Sequence, residues 1–231
     1  MVYVCSDLHG CPLTKFTGLL EKAGFSEKDT LYILGDVIDR NGDGGVEILR
    51  WIIKQKNVKM IMGNHEQMLL DCRGIFDKSR GLRLNEVLSL DEWLYNGGAV
   101  TIENLEKLRG KSPAEFDEIT EYLGNLPYYA ELEVNGRKFV LVHGGLPRFD
   151  SRKKLYFYDE HELLWCRPGI NEKYYKTKTV VLGHTPTYLY GAEHCDRILK
   201  TETWIDIDTG AAYGYALSLL RLDDMQEFYS D

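Results

Sequence analysis

The chain has 231 residues, 44% of them apolar and 28% charged, a balance that fits one large globular domain with a substantial core and excludes a disordered polypeptide. Its formal net charge of −8 excludes a general nucleic-acid binder, because phosphate backbones are gripped by positive surface. With no stretch near the ~20 apolar residues of a membrane helix and no basic leader with a small-residue cleavage site, a cytoplasmic protein without membrane or nucleic-acid-polymer partners is expected.

A short β-branched and aromatic run, Val2–Cys5, opens the chain and stops at Ser6-Asp7-Leu8-His9-Gly10. The next segment, Leu13–Ala23, places Leu13, Phe16, Leu19, Leu20 and Ala23 at a helical period. Leu31–Leu34 then ends in Gly35-Asp36-Val37-Ile38-Asp39-Arg40. Val46–Ile53 repeats the helical spacing, and Val58–Met62 runs into Gly63-Asn64-His65-Glu66. This alternation predicts βαβ units and a largely parallel sheet. Residues 67–126 carry no convincing strand, only helical patterning over Leu84–Leu94, Val100–Leu108 and Pro113–Leu123. They read as a helical insertion or cap within a single 1–231 domain.

Tyr128–Val134 and Lys138–Val142 form a hairpin pattern through Asn135-Gly136, a pair suited to positive φ. The second of these runs stops at His143-Gly144-Gly145. Thr179–Leu182 leads into Gly183-His184-Thr185-Pro186, and Trp204–Ile207 into Asp208-Thr209-Gly210. Ala216–Leu222 and Met225–Tyr229 make a last pair around Asp223-Asp224. The expected fold class is α/β with a mixed, double-layered sheet.

Six strands thus end in polar, glycine-flanked clusters. In α/β sheets ligands bind outside the carboxyl ends of the strands, so these clusters should converge on one crevice. Asp, Asn and Gly belong in turns in any case. Turn chemistry does not, however, require four of the six histidines at the same structural position. The five cysteines, at 5, 11, 72, 166 and 195, form no Cys-x-x-Cys pair, so neither a disulfide framework nor a thiolate zinc site is expected. Carboxylate, imidazole and amide ligands suit manganese, iron, zinc or magnesium. Their number exceeds one tetrahedral site and fits two ions about 3.5–4 Å apart, bridged by a carboxylate, that would supply hydroxide at neutral pH.

The ordered set Asp7-Leu8-His9-Gly10, Gly35-Asp36-Val37-Ile38-Asp39-Arg40, Gly63-Asn64-His65-Glu66, His143-Gly144-Gly145 and Gly183-His184-Thr185 resembles the calcineurin-like metallophosphoesterases. Within them it is similar to the phosphoprotein phosphatase family, in particular the lambda phage-type bacterial Ser/Thr protein phosphatases. Gln67-Met68, Trp93 with Asn96-Gly97-Gly98, Trp165-Cys166-Arg167 and Ile207-Asp208-Thr209-Gly210-Ala211 extend the likeness to about residue 222. The resemblance implies a four-layer α/β sandwich, two mixed sheets flanked by helices. It implies two divalent ions, manganese foremost, with Asp7 and His9 on the first, Asp36 as the bridge, and Asn64, His143 and His184 on the second.

It also implies that His65 is the general acid, with Asp39 as its orienting partner, and that Arg40, Arg167 and Asn64 hold the phosphate. The arginines and ions would supply the local positive charge that an acidic protein needs. Asp208 is expected as a turn residue or, by a slight preference, as a partner of a liganding histidine, His161 and His194 as surface or structural, and Tyr156-Phe157-Tyr158 as core or groove wall. The pattern breaks at Met62, where an arginine usually precedes Gly-Asn-His. The implied activity is a phosphomonoesterase acting on phosphoprotein or phosphopeptide, with phosphoserine/threonine or phosphotyrosine undecided. The alternative is a symmetrical bis(5'-nucleosyl)-tetraphosphatase cleaving dinucleoside polyphosphates. A non-enzymatic binding module is disfavoured, because a scaffold need not keep every ligand position filled.

Overall fold

A computed structural model describes residues 1–231. Its first strands, β1 (Val2–Cys5), β2 (Thr30–Ile33) and β3 (Val58–Met60), are separated by helices α1 (Leu13–Lys22) and α2 (Val46–Lys54). Four helices follow: α3 (Asn64–Asp71), α4 (Leu84–Tyr95), α5 (Ala99–Lys111) and α6 (Pro113–Gly124). Then come β4 (Tyr129–Val134), β5 (Arg137–Val142), the short helix α7 (Glu160–Trp165) and β6 (Thr179–Leu182). Strands β7 (Leu199–Lys200), β8 (Trp204–Asp206), β9 (Ser218–Arg221) and β10 (Gln226–Tyr229) complete the chain.

The strands form two five-stranded sheets, ordered β10-β9-β1-β2-β3 and β4-β5-β6-β8-β7. In each, three strands run parallel (β1, β2, β3 and β5, β6, β8). Antiparallel strands β9 and β10 flank the first sheet on one side, and β4 and β7 border the second on both. This is the α/β class with mixed, doubled sheets that the sequence predicts.

Side-chain alternation along the strands sorts the core into three layers. Val4, Leu34, Phe139, Leu141 and Val181 pack together between the sheets. Their neighbours Tyr3 and Cys5 turn the other way, toward Phe16, Leu49 and Ile52 of α1 and α2. Val140, Val142, Val180 and Leu182 face outward under Leu155, Leu163 and Tyr174. Each such fully buried side chain contributes about 1.5–3 kcal/mol by leaving water. No helix is long and apolar enough to cross a membrane.

The structure differs from the sequence pattern in a few places. Asn64 and His65 do not sit in a turn but begin α3, whose Glu66 side chain caps the helix by accepting the Gly63 N–H at 3.1 Å. The six-residue α7 is started by Asp159, whose carboxylate accepts the His161 N–H at 3.0 Å. The two-residue β7 exists only by pairing with β8 and has no pattern of its own. Tyr156 and Phe157 are 61% and 65% exposed and so are not core, whereas Tyr158 is buried; Tyr156 lines a surface groove with Tyr129 and Tyr175.

Candidate metal centre

The carboxyl ends of the parallel strands from both sheets meet at one place. The His143 Nδ1–H, just past β5, donates to the Leu34 carbonyl just past β2, at 2.6 Å. The His184 N–H, beyond β6, donates to Asp7 Oδ2, beyond β1, at 3.0 Å. Six site residues (Asp7, His9, Asp36, Asp39, Arg40 and His184) have φ between 41° and 78°. That left-handed region is unfavourable for side-chain-bearing residues by about 1–3 kcal/mol each and persists where the surroundings enforce it, typically at functional sites. Gly35, at φ 87°, lets two of the loops touch: a Cβ there would collide with the Gly63 backbone.

The loop carrying Asp36 is held by one side chain. The Glu66 carboxylate accepts the N–H groups of Asp36 and Val37, each at 2.8 Å, and of Ile38 at 3.4 Å, besides that of Gly63. Asp36 sits at the centre. His9 Nε2 lies 3.6 Å from its Oδ2, His65 Nε2 3.7 Å from the same oxygen, and His143 Nε2 3.4 Å from its Oδ1. Two groups with metal-ligating geometry share it: His9, Asp36 and His65, and Asp36, His143 and His184. Asp7 Oδ1 stands 3.8 Å from His9 Nε2.

The donor atoms are prepared for cations. His9 gives its Nδ1–H to the Ile38 carbonyl at 3.0 Å and His143 gives its own to Leu34, so both Nε2 atoms point lone pairs inward. His143 Nε2 then faces Asn64 Oδ1 at 2.9 Å, two acceptors converging on a space that suits a cation. His184 Nε2 is buried without a hydrogen-bond partner, another polar atom that a metal would satisfy. The residues present therefore fit a metal pair bridged by Asp36.

Electrostatics agree with that arrangement. Burial opposes charge on Asp36, yet the imidazoles of His143 and His65 outweigh it and hold the carboxyl well below the usual range. Burial, then the neighbouring imidazoles of His65 and His143 respectively, push His9 and His184 well below the ordinary histidine value, leaving neutral ligands. Burial also opposes charge on His143, but the Asp36 carboxylate holds it up at about 9. A divalent cation would compete with that proton.

His65 Nδ1 lies 2.6 Å from Asp39 Oδ2. The same oxygen accepts the Trp93 indole N–H at 2.8 Å, and Thr101 Oγ1 donates to the other oxygen at 2.5 Å. Arg40 Nη2 donates to His65 Nε2 at 3.1 Å, which fixes the remaining proton on Nδ1. Burial disfavours the imidazolium, but Asp36 and Asp39 together raise the His65 pKa above its ordinary value. Arg167 is exposed at the rim, its Nη1 donating to the His184 carbonyl at 2.9 Å and to Thr185 Oγ1 at 3.2 Å.

All the residues singled out in the sequence as ligands, acid and phosphate arginines lie in this cleft. Asp208 takes the turn role rather than bonding a liganding histidine: its carboxylate accepts the N–H of Gly210 within its own turn, and backbone carbonyls hold His9 and His143. Met62 is buried in the large core cluster. His161 is exposed and stacks on Trp165 with ring centres 5.8 Å apart. The parts played by Glu66, Trp93 and Thr101 escape sequence reading: Trp93 and Glu66 stand in recognisable motifs, but nothing marks Thr101.

Residues 1–207 match the calcineurin-like phosphoesterase family. Serine/threonine-protein phosphatase 1 of Salmonella typhimurium is 28% identical over 96% of this chain and 91% of its own. The symmetrical bis(5'-nucleosyl)-tetraphosphatase of a Marinomonas species is also 28% identical, over 98% of this chain and 95% of its own. The fold is that of a candidate diadenosine tetraphosphatase, with a TM-score of 0.64 at 18% identity over 99% of this chain and 91% of the other. It is likewise that of a Saccharomyces cerevisiae serine/threonine phosphatase, with a TM-score of 0.59 at 17% identity over 94% and 71%.

Proposed function

The chain belongs to the calcineurin-like phosphoesterase family, whose members hydrolyse phosphate esters at a dimetal centre, and from that premise we propose that it is a phosphomonoesterase of phosphoproteins or phosphopeptides. The sharing of Asp36 between two histidine groups supports the dimetal part of this reading, with His65 left out of the ligands because Asp39 and Arg40 engage its ring nitrogens. Asp7 and His9 would hold one ion, Asn64, His143 and His184 the other, and Asp36 both, with manganese as the proposed metal. When bound, such a pair lowers the pKa of a shared water and clamps the phosphate oxygens.

The remaining roles fall to the chain's own side chains. Arg40 and Arg167 grip the phosphate through charge-assisted hydrogen bonds, with Asn64 beside them. With Arg40 moved from His65 onto the phosphate, Nε2 is free to take up a proton from solvent, and the resulting imidazolium gives that proton to the leaving oxygen. Asp39 fixes the imidazole's tautomer and stabilises its charged form. Residues 1–231 would form one domain whose helical segment 67–126 supports the acid through Trp93 and Thr101. Five unpaired cysteines suit a reducing compartment, and the proposed location is the cytoplasm.

A second reading, symmetrical bis(5'-nucleosyl)-tetraphosphatase, draws support from Met62, which leaves the cleft one arginine short of the protein-phosphatase pattern. Metal analysis coupled to turnover of a phosphopeptide and of diadenosine tetraphosphate under manganese separates the two. Faster hydrolysis of the dinucleotide would overturn the first.

A further inference from the structure

Three tyrosines stand beside the phosphate arginines. Arg40 Cζ lies 5.2 Å from the centre of the Tyr213 ring, which is 55% exposed. Tyr188 meets Tyr213 edge-on, with ring centres 6.1 Å apart at 89°, and Tyr215 lies tilted against Tyr188 at 5.4 Å. The backbone holds this wall against the site. Asn41 Nδ2, next to Arg40, donates to the Ala212 carbonyl at 3.3 Å, and the Thr187 N–H donates to the Asp208 carbonyl at 2.8 Å. Gly210, at φ 87°, completes the fit, since a Cβ there would press on the Tyr215 and Tyr188 rings.

Arg40 joins this wall to the general acid. Its guanidinium carbon lies over the Tyr213 ring while Nη2 stands 3.1 Å from His65 Nε2. If His65 protonates the leaving oxygen, as proposed above, that oxygen takes the place beside Nε2 that Arg40 vacates, and the group it carries departs toward the exposed Tyr213 ring. An aromatic ring bonded to phosphorus through a single oxygen reaches that ring directly. A nucleobase is held off by its ribose, and a seryl or threonyl carbon offers no π face.

The geometry points to Tyr213, backed by Tyr188, as the determinant of leaving-group specificity, favouring phosphotyrosyl over phosphoseryl peptides. Offset or edge-on contact with an aromatic leaving group adds to the area it buries, and a few-fold to about tenfold selectivity is the scale such pairs give. The inference rests on the assignment of His65 as the acid.

The test is the ratio of kcat/KM for a phosphotyrosyl peptide to that for a phosphoseryl peptide with the same flanking residues. Loss of support for Arg40 lowers both rates equally and cancels in the ratio, whereas loss of the leaving-group contact does not. The wild type should favour the phosphotyrosyl peptide, and Tyr213→Phe should keep that ratio. Tyr213→Ala should lower it about three- to tenfold, mainly through the phosphotyrosyl KM. Tyr188→Ala should lower it less and serves as the independent arm if Tyr213→Ala folds poorly. A ratio unchanged in both alanine variants overturns the inference while leaving the phosphomonoesterase reading intact. So does a KM rise confined to diadenosine tetraphosphate. A wild type inactive on p-nitrophenyl phosphate and both peptides overturns the two together.

Discussion

Trp93 and His65 meet on one atom: the indole N–H at 2.8 Å and His65 Nδ1 at 2.6 Å both donate to Asp39 Oδ2. The helical segment thereby helps to orient the acid by holding its partner Asp39, 54 residues away from Trp93 in sequence. Trp93→Phe keeps most of the ring but strips one donor from a buried carboxylate, a loss of about 1–3 kcal/mol. At roughly 2–4 °C per kcal/mol for a chain of this size, melting should fall by several degrees. The kcat should fall about tenfold, more for alkyl than for aryl phosphates, with KM little changed. A KM rise with unchanged kcat would contradict a role in orienting His65.

His65→Asn removes the proposed proton donor and leaves the proposed metal ligands in place. General acids contribute about 10²–10⁴-fold, so turnover of an alkyl phosphate should fall by that order while bound metal stays near two ions. A good aryl leaving group needs less protonation and should lose less. Equal losses on both substrate types would count against the acid role.

Asp36→Asn tests the bridge. Three imidazole nitrogens lie within 3.4–3.7 Å of this carboxylate, so neutralising it leaves too little negative charge to hold two cations together. Activity on p-nitrophenyl phosphate should vanish and bound metal should drop, as read by elemental analysis. Near-normal turnover with both ions retained would remove Asp36 from the bridging position.

How legible the site was in the sequence follows from where its parts lie. Asp7, His9, Asp36, Asn64, His143 and His184 each terminate a buried apolar run, so periodicity alone placed them at one end of the sheets. Glu66, Trp93 and Thr101 act on Asp36 or Asp39 from 30, 54 and 62 residues away, across contacts that no local pattern encodes. Asp208 keeps its turn role because the carbonyls of Leu34 and Ile38 reach Nδ1 of His143 and His9, a choice made by backbone geometry that no local pattern signals. The six-residue α7 and two-residue β7 are too short to carry a period.

The helix that carries Trp93 should make stability depend on pH. Arg80 foremost, then the Arg83 N–H, hold the Glu86 carboxyl down at about 2. Arg80 Nη2 lies 2.5 Å away and the backbone bond, at 2.8 Å, caps the first turn of α4. A carboxyl depressed in the folded state stabilises fully above its unfolded value near 4.3, and the contribution fades as pH falls through the folded value. Glu86→Gln should therefore melt below the wild type at pH 6 and converge with it as the pH is lowered toward 2. A constant gap across that range would show that the charge is not what matters.

Glu66 is the strongest single test of how the loops are held. Its carboxylate takes four backbone N–H groups, three from the Asp36 loop and one from Gly63, and is itself fully buried. Burial, then the Asp36 charge, pushes the Glu66 carboxyl up to about 7, so each of these hydrogen bonds contributes about 1 kcal/mol, and removing the acceptor also strands the donors in the core. Glu66→Ala should thus lose at least about 3 kcal/mol, a fall of roughly 6–12 °C in melting temperature. Glu66→Gln replaces one carboxylate oxygen by an amide that opposes the N–H groups and should lie between the two. Because Asp36 would keep its carboxylate but lose its fixed position, metal affinity should weaken by about 10–100-fold. Activity of Glu66→Ala should therefore recover as metal is added, whereas Asp36→Asn should not respond. If Glu66→Ala melted and bound metal like the wild type, the loop would be held by something other than this carboxylate.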